Sequence, residues 1–323
     1  MPIPASLTEG LQLPVIAAPM FLVSGTKLVI AACKQGLIGT LPSLNARPSS
    51  QFDDWLFEIE GALAGTHAAK FGVMLVMHKS NKRLEQDLDI SIRHKVPLII
   101  TAVGYRAEVV AAVHAYGGVI FHDAINMKHA MKAAEAGVDG IIPICGGGGG
   151  NSGVINPFTF VTQLRAQFNG TIVLAGGLGH GRQIRAAEVL GADMAYMGTR
   201  FIATEEAAAD PQFKQMIVAA ESTDVVYTNK ITGMGASFLK QSLVRSGIDW
   251  SDAAAIPAVD VDHEEKMVWR DIWSAGQGVG LIKDVPTIPE LARRLKAEYA
   301  AALGAAAFAW ADLAAAHAQV ASY

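Results

Sequence analysis

Two glycine turns near the middle of the chain have the composition of an anion cradle. One is Leu174-Ala175-Gly176-Gly177-Leu178-Gly179-His180-Gly181, and the other is Tyr196-Met197-Gly198-Thr199-Arg200-Phe201. Glycine lets backbone N–H groups approach phosphate oxygens closely, and the Thr199 hydroxyl adds a donor. A third run, Cys145-Gly146-Gly147-Gly148-Gly149-Gly150-Asn151-Ser152-Gly153, is expected to be mobile, because glycine is costly to order. The pair His122-Asp123 could supply a proton acceptor, although a hydrogen-bonded structural histidine is the simpler reading. Cys145 would act as a nucleophile only with a depressed pKa, and no neighbouring residue in sequence provides one. His180 reads equally as a phosphate contact or an exposed loop residue. The run Lys79 to Arg83 reads as a solvated loop that could also attract an anion. The histidines are scattered without metal-ligand spacing, and Gly-x-Ser-x-Gly is absent.

The elements that must position these turns are short apolar runs separated by helical stretches. The runs are Leu13 to Ala18, Leu37 to Leu41, Phe71 to Met77, Pro97 to Ala102, Gly118 to His122, Gly137 to Ile144, Thr171 to Ala175 and Ala192 to Met197. They are continuously apolar rather than alternating, as in parallel strands buried on both faces. Met127 to Glu135 and Gln183 to Leu190 read as helices stopped by Gly137 and Gly191. Eight such βα units predict an α/β fold, a (β/α)₈ TIM barrel, whose loops after strands 7 and 8 commonly form a phosphate site. The two glycine turns fall there. A doubly wound open sheet is the alternative, but the first βα turn, Pro19 to Gly25, is not glycine-rich.

The barrel is expected over residues 1–204, a helical cap without obvious strand pairs over 205–285, and an alanine-rich helical tail packing on the barrel over 286–323. Val226 to Gly235 in the cap could line a substrate pocket, and Trp273 reads as core. Half of the chain, 51%, is apolar and only 17% is charged, which provides for a large core. A net charge of −4 with interleaved signs offers no basic field for nucleic acid. Two distant cysteines suit a reducing compartment, and neither a signal peptide nor a bilayer-spanning run is apparent, so a cytoplasmic location is expected. The tail could serve a homodimer contact.

The motifs also carry a resemblance. Val15-Ile16-Ala17-Ala18-Pro19-Met20, Gly137-Val138-Asp139-Gly140, Leu174-Ala175-Gly176-Gly177, Gly191-Ala192-Asp193, Met197-Gly198-Thr199-Arg200-Phe201 and Asp271-Ile272-Trp273-Ser274-Ala275-Gly276-Gln277 resemble the nitronate monooxygenase (2-nitropropane dioxygenase) family. That family consists of FMN-dependent barrels and includes flavin enoyl reductases. The resemblance implies an FMN-dependent oxidoreductase, a flavoprotein monooxygenase. Its flavin contacts would be Ala18, Pro19, Met20, Met74, His122, Gly149, Gly150, Ala175, Gly176, Gly177, Gly198, Thr199 and Gln277. Pro19 and Met20 would lie beside the ring, and Gly176, Gly177, Gly198 and Thr199 would hold the phosphate. Gln277 would approach from the cap, and His122 would lie near the pyrimidine end.

Two positions depart from the family pattern. Asn151 stands where the usual catalytic His of the third glycine run is expected, and Met74 replaces a frequent Asn. Asn151 and His122 are the candidate catalytic residues. A carboxamide donates and accepts hydrogen bonds but is not basic, so Asn151 could polarise a substrate oxygen without abstracting a carbon-bound proton. General-base help is worth roughly 10²–10⁴-fold, and a nitronate, already an anion, does not require it. The first expectation is therefore oxidation of alkyl nitronates with O₂ and poor use of neutral nitroalkanes. The second is a flavin-dependent reductase or dehydrogenase of an activated carbonyl, such as an enoyl or acyl thioester, using NAD(P)H. The third is a flavin-binding protein with little turnover.

Overall fold

The computed structural model describes residues 3–250 and 269–304. Eight parallel strands close into a barrel: β1 (Val15–Ala17), β2 (Ile38–Pro42), β3 (Phe71–Val76), β4 (Leu98–Ala102), β5 (Val119–Ala124), β6 (Gly140–Pro143), β8 (Thr171–Ala175) and β9 (Met194–Met197). β9 pairs with β1, with Tyr196 opposite Ile16, and so completes the ring. Each of the eight expected runs supplies one barrel strand. Continuous burial along β2, β4 and β8 explains why none alternates in sequence.

The two faces of the wall nevertheless separate into two cores. Ile16, Ala18, Leu98, Ile100, Phe121, Ile142, Val173, Ala175 and Tyr196 pack together, with Met74 against them, and fill the barrel. Ile99, Ile120, Ile141, Ile172 and Leu174 pack with the surrounding helices instead. Successive side chains point to opposite faces, so these memberships fix which residues of each strand face inward. On β5, Val119 and Phe121 face in and Ile120 and Ala124 face out, which places Asp123 inward and His122 outward.

Two helices matter for the site. α8 (Gly181–Leu190) follows β8 and ends at Gly191, whose φ of 105° is the left-handed stop that glycine accommodates. The last described helix, α12 (Ile288–Gly304), packs on α8 so tightly that a Cβ at Gly181 would lie 2.3 Å from the Leu295 carbonyl oxygen. Residues 305–323 of the expected tail and 251–268 of the expected cap lie outside the described residues.

The region over 205–285 differs from the helical expectation. It contains α10 (Pro211–Ala219) and α11 (Lys240–Arg245), but also β10 (Val225–Thr228) and β11 (Ala236–Leu239). These two strands pair antiparallel, and β11 also pairs with β7 (Gly150–Asn151) of the third glycine run. Val225, Val226 and Thr228 are β-branched, and Gly233 takes a φ of 73° in the connection, which suits a hairpin. No helix among the described residues is long and apolar enough to cross a membrane.

Candidate active site

The C-terminal ends of the strands carry the three glycine turns. After β8, Gly176 and Gly177 take φ values of 130° and 70°, a backbone path that side-chain-bearing residues rarely follow. A Cβ at Gly177 would meet nothing within 4 Å. After β9, Gly198 stands 3.8 Å from both the Ala18 methyl and the Met20 sulfur, measured from where its own Cβ would be. The open space at Gly177 and the Thr199 hydroxyl therefore lie at the strand ends whose inward-facing Ala18, Ala175 and Met74 form an apolar platform. A flavin phosphate and ring make the same demands, a polar cradle at one end and an apolar floor at the other.

The first βα loop is held by a residue that carries no motif signal. Asn45 accepts from the Leu22 N–H at 2.9 Å and donates to the Met20 and Ser24 carbonyls at 2.9 and 2.8 Å. Met20 N–H in turn donates to the Ser24 hydroxyl at 3.0 Å. Pro19 and Met20 thus sit in a loop clamped from β2's far side. Leu22, at a φ of 59°, is part of the same clamp.

The third glycine run is hydrogen-bonded on both sides. Gly146 N–H donates to Ile155, Ser152 N–H to Gly235, and Gly150 N–H to the Ser274 hydroxyl at 2.6 Å. The Tyr227 hydroxyl donates to the Ser152 carbonyl at 3.3 Å, so the cap hairpin pins the run from one side. The returning segment pins it from the other, where Gln277 N–H donates to Gly147 at 2.9 Å. A Cβ at Gly149 would lie 2.8 Å from Gly276 N, and one at Gly276 would lie 2.5 Å from the Gly147 carbonyl oxygen. Glycine here serves backbone-on-backbone packing, and the hydrogen bonds offset the ordering entropy that suggested mobility. Gly276 N–H also donates to the Thr199 hydroxyl at 2.9 Å, leaving that hydroxyl's own proton to donate elsewhere. One segment, Ser274 to Gln277, therefore ties the third glycine run to the turn after β9. Asn151 lies exposed on β7, opposite Ala236.

Several residues singled out from sequence have other employment. His180 caps α8, accepting from Arg182 N–H at 3.0 Å, and its ring lies 3.4 Å from Glu298 of α12. The same Glu298 accepts from Gly181 N–H at 2.7 Å, so the start of α8 is already occupied by a carboxylate. Arg200 is buried and donates to the Ala203 and Asp284 carbonyls at 2.8 and 3.0 Å. Arg83 binds Ser49, the Ala46 carbonyl and buried Asp87, bracing α3 (Ser49–Leu63) against α4 (Leu84–Arg93). Cys145 is buried, and burial pushes its thiol up to about 12, which keeps it inert. Trp273 stacks on Phe213 with centroids 5.0 Å apart, as a core residue. Among the described residues no group of His, Cys, Asp and Glu could hold a metal ion.

His122 corrects the sequence reading in one respect. Its ring belongs to the outward face of the wall and is only 3% exposed, with Nδ1 2.8 Å from the Thr101 hydroxyl of β4. Burial, with a smaller contribution from His129, holds its pKa down at about 4. A buried imidazole on the outward face of the wall is poorly placed to take a proton from a ligand inside the barrel. The folded-state pKa lies below the ordinary value of about 6.5, so protonation favours the unfolded chain and stability falls as pH drops from about 6.5 to about 4. His122→Gln should remove that dependence. Wild type is expected to lose up to about 3 kcal/mol more than the variant over this window, read by denaturant unfolding at each pH.

The inward neighbour is the residue that sequence reasoning did not separate from its histidine. Asp123 Oδ1 is sealed from solvent without a hydrogen-bond partner, and so is the hydroxyl of Tyr196 across the barrel interior. Each such orphan costs about 1–3 kcal/mol. Burial pushes the Asp123 carboxyl up to about 8, and the Tyr196 phenol rises well above its usual range for the same reason, with the Asp123 charge adding to it.

The comparisons agree with this geometry. The family model described as nitronate monooxygenase matches residues 58–298. The (3aS,4S,5R,7aS)-5-hydroxy-7a-methyl-1-oxo-octahydro-1H-indene-4-carboxyl-CoA dehydrogenase of Rhodococcus jostii (strain RHA1) is 30% identical over 246 residues, 75% of this chain and 67% of that protein. The nitronate monooxygenase of Paraburkholderia phytofirmans is 26% identical over 287 residues, 74% of this chain and 77% of that protein. Nitroalkane oxidase from Streptomyces ansochromogenes shares the fold at a TM-score of 0.80 with 23% identity, over 93% of this chain and 99% of that one. With the family model spanning most of the barrel and the returning segment, this chain is an oxidoreductase that belongs to the nitronate monooxygenase family.

Proposed function

We propose that the chain is an FMN-dependent oxidoreductase that oxidises alkyl nitronates with O₂. The observation that carries this reading is the pairing of glycine turns at Gly176, Gly177 and Gly198, with open space at Gly177, with a third glycine run that carries the non-basic Asn151 exposed on β7. Gly176, Gly177, Gly198 and Thr199 would hold the phosphate by backbone N–H groups and one hydroxyl. Ala18, Met20, Met74 and Ala175 would floor the ring. A flavin held there would supply the redox chemistry that links nitronate oxidation to O₂. The protein's own contribution is to bind the anion, orient it by hydrogen bonds to its oxygens and exclude water. Asn151 suits that work, because a nitronate arrives already deprotonated. The expected result is a kcat/KM for a pre-formed nitronate at least about 10²-fold above that for the parent nitroalkane. Equal rates on both would remove the reading.

A second reading has its own observation, the 30% identity with the indene-carboxyl-CoA dehydrogenase of Rhodococcus jostii. In that case the mouth would hold a thioester carbonyl, and electrons would pass between the substrate carbon and the flavin, with NAD(P)H as the electron donor. Anaerobic mixing separates the two. Flavin bleaching by nitronate but not by NADPH supports the first, and the reverse supports the second.

A further inference from the structure

We infer that Asp123 is the proton-holding residue of the barrel mouth: its carboxyl, facing Tyr196 across the barrel interior, presents a hydrogen-bond donor to a ligand held over Ala18 and Ala175, and exchanges the proton that Asn151 cannot. Three observations support the inference. The alternation of β5 turns Asp123 inward, on the face shared by Ile142, Ala175 and Tyr196. The residue is partly exposed near the C-terminal end of β5, yet its Oδ1 is sealed and unpartnered. The Tyr196 hydroxyl is sealed and unpartnered on the same interior face, one inward position below Gly198 of the proposed phosphate cradle.

The groups around Asp123 leave its proton in place. β6 presents Ile142 beside it, β9 contributes neutral Tyr196, and Cys145 beyond β6 is a neutral buried thiol. On the helix side of the wall, His122 is held neutral and His129 acts on His122. No cation is among the causes that set the Asp123 carboxyl, and burial alone raises it to about 8. A carboxylic acid that is neutral at pH 7 donates to an anion, where a carboxylate would repel it. Loss of the proton to solvent near the upper end of the physiological range converts the same atom into an acceptor. The inference concerns the mouth proposed above to hold the flavin, but its first test does not need flavin.

In that test, the apoprotein is unfolded thermally across about pH 4 to about pH 9, beside Asp123→Asn, which copies the neutral carboxyl. The raised folded-state pKa means that wild type loses stability relative to the variant as pH climbs from about 4 to about 8, and the difference then levels off. In the second test, the absorption spectrum of the flavin-loaded protein is followed against pH. Wild type should show a shift centred near pH 8 that Asp123→Asn lacks. Parallel unfolding curves for the two proteins would overturn the inference. So would a pH-dependent difference in unfolding with no spectral shift, which would make Asp123 a buried group remote from the cofactor. Should the variant not fold, infrared titration of the wild-type carboxylic-acid C=O stretch reads the same ionisation. Failure of the nitronate assay leaves both tests standing.

Discussion

Gly177→Asp is expected to weaken FMN binding by about 10²–10³-fold while leaving riboflavin binding within a few-fold. The position accepts the side chain sterically, since a Cβ there meets nothing within 4 Å. Its φ of 70° is one that Asp tolerates better than most residues, at a cost of about 1–2 kcal/mol. The barrel should therefore still form. The new carboxylate would stand in the space assigned to the phosphate. At about 5 Å and an effective dielectric of about 20, each pair of unit charges repels by about 3 kcal/mol. The carboxylate can escape by taking up a proton, which from a pKa of about 3.9 costs about 4 kcal/mol at neutral pH. The loss is thus bounded on both sides, near two to three decades. Riboflavin has the same ring without the phosphate, so it isolates the charge. The two titrations, read by flavin fluorescence, decide whether the turns after β8 and β9 hold a phosphate. Equal weakening of both ligands would show that the substitution had damaged the ring site or the fold instead.

The barrel was legible because a parallel strand closed into a ring must be apolar on both faces. Eight such runs, spaced by helix-length segments, leave few other architectures. The same property hid the site's detail. With both faces of β5 buried, no polar alternation told Asp123 from His122, and histidine chemistry drew attention to the outward member of the pair. Only the membership of Phe121 and Ile120 in different cores separates the two. The hairpin of β10 and β11 escaped for a different reason. Its strands are four residues each, and β11 also pairs with a two-residue strand more than eighty positions earlier, a partnership that local sequence cannot announce. Asn45 illustrates the same point, since it clamps the loop after β1 from beyond β2. The glycine run from Gly146 to Gly150 stands out in composition, but composition alone does not reveal what its missing side chains make room for. The structure uses the missing side chains to admit the Ser274 to Gln277 segment.

That rigidity makes the second large effect predictable. Asn151→His should raise kcat/KM for a neutral nitroalkane by about 10²-fold, with the nitronate changing by no more than a few-fold. The backbone around residue 151 is fixed on both sides, by the Gly150 N–H bond to Ser274 and the Ser152 N–H bond to Gly235. A side chain placed there inherits a defined position instead of having to order a loop, and the orientational part of the catalytic advantage is retained. Position 151 is exposed, so an imidazole should keep a pKa near 6.5 and be available as a base at neutral pH. The gain should accordingly appear with a pH limb near 6.5 that wild type lacks, because only the variant must be deprotonated to act. The nitronate gains little from a base, having no carbon-bound proton to give up. If nitroalkane and nitronate improve together, the histidine would be binding rather than abstracting. If neither changes, residue 151 lies away from the reacting carbon, and the role assigned to it falls.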